Sequence, residues 1–382
     1  MDSHLNEMLS YLDFGCPDVR IIGIWGMGGV GKTTIAQVVS ERVKAQFEGD
    51  SFLENVREVT EKQGVVHLQQ QLLSNLLKST EHVQTSKMGK DIIRHRLCDR
   101  KVLLILDDVD QDEQLQALCG RTWFGPGSRV IVTSRDEHLL SAFGVDGVYK
   151  VKPLTDPEAL QLFHMKAFKK DQLVGEDFLK LSKEFLKYYK GLPLAIKVLG
   201  SSVNGRSEKL WSSELKRLKK SPNMKIISVL KFSYDGLQET KKKLFLDLAC
   251  FFKGEDMDRV KRILQGSNDD SLDLDLEVLL EKSMVILFGK KLWMHDLIQE
   301  LGWELVHQEC CQDPGQRSRL GLSNEILHVF DRNKVRNCTC KAETKLRLLR
   351  IWNVKFSGDI KYLSNELQFL DWHECPPVSG LA

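Results

Sequence analysis

Apolar residues follow two rhythms in the first 150 positions. Short unbroken apolar runs near 20–25, 52–56, 101–106, 129–133 and 147–151 read as buried strands. Between them, segments near 32–46, 65–79, 87–98 and 136–142 repeat apolar residues at helical spacing. Strand alternating with helix predicts a parallel sheet covered on both faces. From Pro153 the strand rhythm stops. Segments 156–169, 174–190, 193–203 and 208–220 are helical in period, which predicts a small bundle. Pro157 after Asp156 fits a helix start, and Gly191 fits a helix end. A break at Ser221-Pro222 opens a third region. It carries helices near 225–234, 239–252, 256–265 and 273–281, then two short strands, Met284 to Leu287 and Lys291 to Met294, and a helix at 295–309. Helices followed by a hairpin predict a winged-helix arrangement. The expected divisions are therefore 1–150, 151–222, 223–312 and 313–382.

The last division contains a repeat. Leu346-Arg347-Leu348-Leu349-Arg350-Ile351-Trp352 aligns with Leu367-Gln368-Phe369-Leu370-Asp371-Trp372-His373 at a period of 21 residues, within the range of leucine-rich repeats. Two such units bury too little apolar face to stand as a solenoid, so the array reads as started and cut off.

The strongest chemical signal lies between the first strand and the first helix. Gly26-Met27-Gly28-Gly29-Val30-Gly31-Lys32-Thr33-Thr34 fits G-x-x-x-x-G-K-[ST] in a strand, loop, helix context. Its glycines let backbone N–H groups close around a polyphosphate, and the following helix points its positive end at the anion. Lys32 is expected to reach the β- and γ-phosphates and Thr33 to ligate Mg²⁺. The nucleotide-binding set is thus Gly26, Gly28, Gly29, Val30, Gly31, Lys32, Thr33 and Thr34. A second motif, Lys101-Val102-Leu103-Leu104-Ile105-Leu106-Asp107-Asp108, ends a buried strand in two carboxylates at the sheet edge where ligands collect. Asp107 is expected to hold the Mg²⁺ water shell and Asp108 to orient or deprotonate an attacking water, as the catalytic residue. A third strand ends in Thr133-Ser134-Arg135, placing Arg135 to sense a γ-phosphate; a surface ion pair is the plain alternative.

Composition narrows the picture. Charged residues make up 28% of the 382, with a net charge of only +2, so no broad pull toward nucleic acid or membrane follows. The basic stretch Arg206 to Lys243 is interleaved with Glu and reads as a solvated helical face. The region Ser271 to Glu277, where a winged-helix would present its recognition helix, is acidic and apolar, so DNA contact is not expected. No apolar run approaches the ~20 residues of a membrane span, and the start lacks a signal peptide's form, so an intracellular, cytoplasmic place with the nucleus open is expected. Nine scattered cysteines read as reduced thiols, and Cys338-Thr339-Cys340 lacks the second pair of a zinc site.

With these motifs in order, the chain resembles the NB-ARC nucleotide switch of plant intracellular immune receptors of the nucleotide-binding, leucine-rich-repeat type. Further markers stand in the family's order: Phe52-Leu53-Glu54-Asn55-Val56-Arg57-Glu58, Gly191-Leu192-Pro193-Leu194, Leu244 to Phe252, and Met294-His295-Asp296. Asp110 and the Phe52 to Glu58 form are similar to the subclass with an N-terminal Toll/interleukin-1 receptor domain. The resemblance implies an ADP/ATP switch with Mg²⁺ and at most slow hydrolysis, Pro193 packed on adenine and His295 reaching the ADP β-phosphate. It also implies pairing with other receptor chains or self-association. Asp296, at a helix start, is expected to cap free N–H groups and hold His295. Against the family pattern, the Toll-type domain is absent, the repeats are few and Ser134 replaces the commoner Thr, so a truncated receptor is expected. The alternatives are a multiple-turnover ATPase and an interaction module or decoy for full-length receptors.

Overall fold

The computed structural model describes residues 2–78, 82–168, 175–218, 223–264, 271–320, 348–351 and 369–372. The chain divides into two compact units, Met1–Arg217 with Glu281–Ser283, and Leu218–Leu280 with Met284–Ala382.

The first unit opens with α1 (Asp2–Leu12), β1 (Arg20–Trp25) and α2 (Lys32–Val43). Then follow β2 (Gly49–Leu53), α3 (Val56–Gln63), α4 (Val65–Leu77), α5 (Ser86–Leu97), β3 (Val102–Val109), α6 (Asp112–Leu118), β4 (Arg129–Ser134), α7 (Glu137–Phe143) and β5 (Gly147–Lys150). The five strands form one sheet in the order β2-β3-β4-β1-β5, and every pairing is parallel. Both faces are covered, which is why Val102 to Leu106 read as an unbroken apolar run: all five are fully buried. Helix α2 turns Ile35, Ala36, Val39 and Val43 inward, spaced so that one face is apolar. Each large side chain so buried is worth about 1.5–3 kcal/mol.

Two local findings differ from the sequence reading. The run 52–56 is not one strand: β2 ends at Leu53, and Asn55 takes a left-handed backbone (φ 51°) that starts α3 at Val56. Leu53 and Val56 are both fully buried, so the apolar run reflects a strand end and a helix start facing the same core. Helices α1, α3 and α6 are additional to those expected. Helix α1 and the turn after it are fastened to the sheet by Arg129, whose buried guanidinium donates to the carbonyls of Leu12, Asp13, Cys16, Asp18 and Ser128.

Four helices complete this unit: α8 (Asp156–Ala167), α9 (Glu176–Tyr189), α10 (Pro193–Val203) and α11 (Glu208–Leu218). Helix α8 begins with Thr155 and Glu158 in a reciprocal capping box and Pro157 in its first turn. Trp211 is the hub of the aromatic core, 5.0 Å from the Phe178 ring and 5.7 Å edge-on to Phe163.

In the second unit, α12 (Met224–Asp235) precedes α13 (Glu239–Asp247), which runs into a π-helical turn at Leu248–Phe252. Next come α14 (Met257–Leu264), α15 (Ser271–Glu281), an antiparallel hairpin of β6 (Ile286–Phe288) and β7 (Lys291–Trp293), and α16 (Asp296–Glu309). Further on, β8 (Arg319–Leu320), β9 (Leu348–Ile351) and β10 (Phe369–Trp372) form a parallel three-stranded sheet. Phe369 pairs with Leu348 and Trp372 with Ile351, the 21-residue offset of the sequence repeat. The rest of the repeat, the Ser221-Pro222 break and Cys338-Thr339-Cys340 lie outside the described residues. Among the described residues, no helix is long and apolar enough to cross a membrane.

Candidate functional site

The C-terminal ends of β1, β3 and β4 lie side by side in the sheet, and the loops leaving them carry the charged residues singled out in the sequence. Between β1 and α2, Gly26, Gly29 and Gly31 hold φ of 154°, 79° and 106°. This bends the segment from Gly26 through Gly28 and Val30 into a loop ending at the N-terminus of α2. Gly31, lacking a side chain, supplies no cap there, so the first-turn N–H groups at Lys32, Thr33 and Thr34 are presented as an anion cradle. Val30 turns inward, 3% exposed. The Lys32 ammonium lies back across the loop, donating to the carbonyls of Gly26 (2.7 Å) and Met27 (3.1 Å). Burial and the Arg135 charge lower its pKa to about 7, opposed by Asp108 and Asp107.

The two carboxylates at the end of β3 play different parts because the strand bulges between them. Register with β4 shifts between Leu106 and Val109, and Asp108 adopts φ 57°. Asp107 faces inward, 2% exposed, and its Oδ1 accepts from the hydroxyls of Thr33 and Thr133, both at 2.7 Å. The Thr133 hydroxyl also accepts from the Asp108 amide at 2.9 Å, so one side chain of β4 secures both positions of the bulge. Asp108 faces outward between two guanidiniums. Its Oδ1 accepts from Arg135 Nε (3.3 Å) and its Oδ2 from Arg57 Nε (3.1 Å), with Arg57 Nη2 in ion-pair contact with Oδ2 at 2.9 Å. Burial acts to raise the Asp108 pKa, but Arg135, Arg57 and Lys32 together outweigh it and hold the carboxyl below its usual range.

Pro193 is brought to the same loop. It opens α10, and the next residue, Leu194, donates its amide to the Gly29 carbonyl at 3.1 Å. A Cβ on Gly29 would stand 2.8 Å from the Leu194 Cβ, and one on Gly31 3.8 Å from the Pro193 Cγ. Gly191, two residues earlier at φ 76°, presses so closely on Leu154 that a Cβ would meet its carbonyl oxygen at 2.2 Å. The Gly191-Leu192-Pro193-Leu194 segment is thus fitted to the phosphate loop by backbone contact.

His295 belongs to the second unit, where it is itself the N-cap of α16: its Nδ1 accepts from the Leu297 amide at 3.2 Å, leaving the ring proton on Nε2. The N-cap position falls on His295 rather than on Asp296, which is the first helical residue; its carboxylate pairs with Lys253, which also donates to Gln299 at 3.0 Å.

Lys32, Thr33, Asp107, Asp108, Arg135 and the Pro193 segment therefore converge. Arg57 and Thr133 were missed as site residues. The signal for Arg57 was a cation just past the second strand, at the same sheet edge; mistaking Val56 for strand obscured it.

Residues 1–173 match the NB-ARC domain, and residues 238–310 match the Disease resistance protein Roq1-like, winged-helix domain. Among curated relatives, Disease resistance protein RUN1 of Vitis rotundifolia is 43% identical over 97% of this chain and 29% of its own length. TMV resistance protein N of Nicotiana glutinosa is 41% identical over 87% and 29%, and Disease resistance protein TAO1 of Arabidopsis thaliana 36% over 98% and 32%. The chain thus spans about 30% of the length of these relatives. Among solved structures, the Walker-type ATPase paby2304 of Pyrococcus abyssi superposes with a TM-score of 0.53, covering 79% of this chain and 95% of that one, at 12% identity. That likeness concerns the fold.

Proposed function

Since the chain carries the NB-ARC domain and Roq1-like winged-helix domain of plant disease resistance proteins, we propose that it is an ADP/ATP-binding molecular switch in defence signalling. One observation carries this reading. The phosphate loop, Lys32, and the Thr33–Asp107 pair sit together at one sheet edge, an arrangement with a cradle for a polyphosphate and oxygen donors for a hard cation. Lys32 would bind the β- and γ-phosphates, and Arg135 would sense the terminal one. Thr33 and Asp107 would hold Mg²⁺, which when bound neutralises phosphate charge. Pro193 would border the adenine and His295, with its proton on Nε2, would donate to the β-phosphate. A nucleotide gripped by separate parts of a chain couples affinity to conformation. The Toll/interleukin-1 receptor-type subclass, other receptor chains as partners and a cytoplasmic place belong to the same reading.

Turnover catalysis is the weaker reading, because Asp108, the residue suited to activate water, has both carboxylate oxygens engaged by arginines. The test is to identify the nucleotide that co-purifies with the protein and to titrate wild type and Lys32→Ala with ADP and ATP. Bound ADP in the wild type and affinity lowered at least about a hundredfold in the variant, the weight of one charged contact of about 3 kcal/mol, are expected. Equal affinities in the two would refute the site.

A further inference from the structure

Asp108 is held in a way a general base would not be. A carboxylate that removes a proton from water needs one oxygen open toward that water. Here Oδ1 is taken by Arg135, and Oδ2 accepts from Arg57 Nε at 3.1 Å, with Arg57 Nη2 in ion-pair contact at 2.9 Å. Arg135 lies in the immediate continuation of β4 and holds Oδ1 from that strand's side of the site. Arg57 comes from elsewhere. It stands in the first turn of α3, whose start is set by the left-handed Asn55, and α3 follows β2, the strand beside β3. The bulge in β3 and the left-handed backbone at Asp108 turn that carboxylate toward α3, while Asp107 stays inside on Thr33 and Thr133.

Resting on the nucleotide reading above, we propose that Arg57 is a positioning residue that brakes hydrolysis at this site, by occupying the Asp108 oxygen through which a water would be activated. In the braked reaction, the water oxygen bonds to the γ-phosphorus, and the bond from that phosphorus to the β–γ bridging oxygen breaks. The electron pair of that bond leaves with ADP. The water proton passes to Asp108 and then to phosphate or solvent. Withholding the acceptor oxygen slows this step without touching the loop that binds the nucleotide. A switch that must stay in one nucleotide state gains from such a lock, and its release lies in the α3 segment rather than in the phosphate loop.

The test uses the full chain with Mg²⁺ and ATP, and compares Arg57→Ala, Arg57→Lys and Arg57→Gln with wild type. Arg57→Ala and Arg57→Gln are expected to raise kcat about fivefold, a small part of the 10²–10⁴ a positioned base supplies. KM, and ADP affinity measured by calorimetry, should remain within about twofold of wild type, a shift below the tenfold that 1.4 kcal/mol would give. Arg57→Lys, which returns a cation, should restore most of the slow rate. In the Asp108→Asn background, Arg57→Gln should give no gain, because a neutral amide cannot take the water proton. A residue that served only to hold α3 would lower stability and leave this kcat and KM split unmoved. Unchanged or lowered kcat in folded Arg57→Gln that binds ADP normally would overturn the brake. Failure of the wild type itself to bind ADP would instead overturn the nucleotide reading, and the brake with it.

Discussion

Gly29→Ala should weaken nucleotide binding through a contact made outside the phosphate loop. Gly29 holds φ 79°, a left-handed conformation that costs a side-chain-bearing residue about 1–2 kcal/mol. The added Cβ would also lie 2.8 Å from the Leu194 Cβ and 2.9 Å from its Cδ2. Either the loop or the start of α10 must therefore move by several tenths of an ångström, and overpacking of this kind costs about 1–3 kcal/mol. The Leu194 amide bond to the Gly29 carbonyl stretches with it. Together these terms put the cost at about 2–5 kcal/mol. The strained residue lies in the loop whose backbone would hold the phosphates, so much of that strain should fall on phosphate binding. We expect ADP affinity to fall at least about tenfold, the equivalent of 1.4 kcal/mol, and the thermal midpoint of the nucleotide-free protein to fall by several degrees. Calorimetric titration and a melting curve read the two quantities separately. The double variant Gly29→Ala with Leu194→Gly removes the clash but not the backbone strain, so it should regain roughly half of the lost affinity. An ADP affinity within about twofold of wild type in Gly29→Ala, or no recovery in the double variant, would refute the packed contact as the cause.

Three further outcomes follow from single side chains. Thr133→Val deletes the hydroxyl that joins Asp107 to the Asp108 amide, at a cost of about 1–3 kcal/mol; Mg²⁺-dependent ATP binding should weaken while Mg²⁺-free ADP binding changes little, as titrations with and without the ion would show. Arg129→Met strips the donors from five backbone carbonyls around the end of α1 and should lower stability by about 3 kcal/mol or more in denaturant unfolding; a loss below about 0.5 kcal/mol, the size of an ordinary surface change, would show that the staple is dispensable. Asp296→Val breaks the pair with Lys253 beside the His295 cap and should speed ADP release while lowering stability by about 1 kcal/mol or less; lowered stability with unchanged release would mean that His295 does not act on the nucleotide.

Much of this protein was legible along the chain because its signals are local. Strand, loop and helix at 20–43 are consecutive, so the backbone geometry of a phosphate site can be inferred from the glycine spacing together with Lys32 and Thr33. The alternation of apolar runs with helical periods likewise carries a parallel sheet, since only strands covered on both faces lose the polar alternation. The 21-residue repeat anticipates the offset at which β9 and β10 pair. What the sequence left undecided depends on which strands become neighbours. Arg57 and Asp108 are 51 positions apart and meet because β2 lies beside β3. Thr133 reaches Asp107 and the Asp108 amide because β4 lies on the other side of β3. No periodicity marks the bulge that sends two adjacent carboxylates to opposite tasks, because it arises from register between strands. The closeness of α10 to the phosphate loop was equally hidden: it is set by two glycines at 29 and 191, whose need for space appears only when the partner that would occupy it has folded into place.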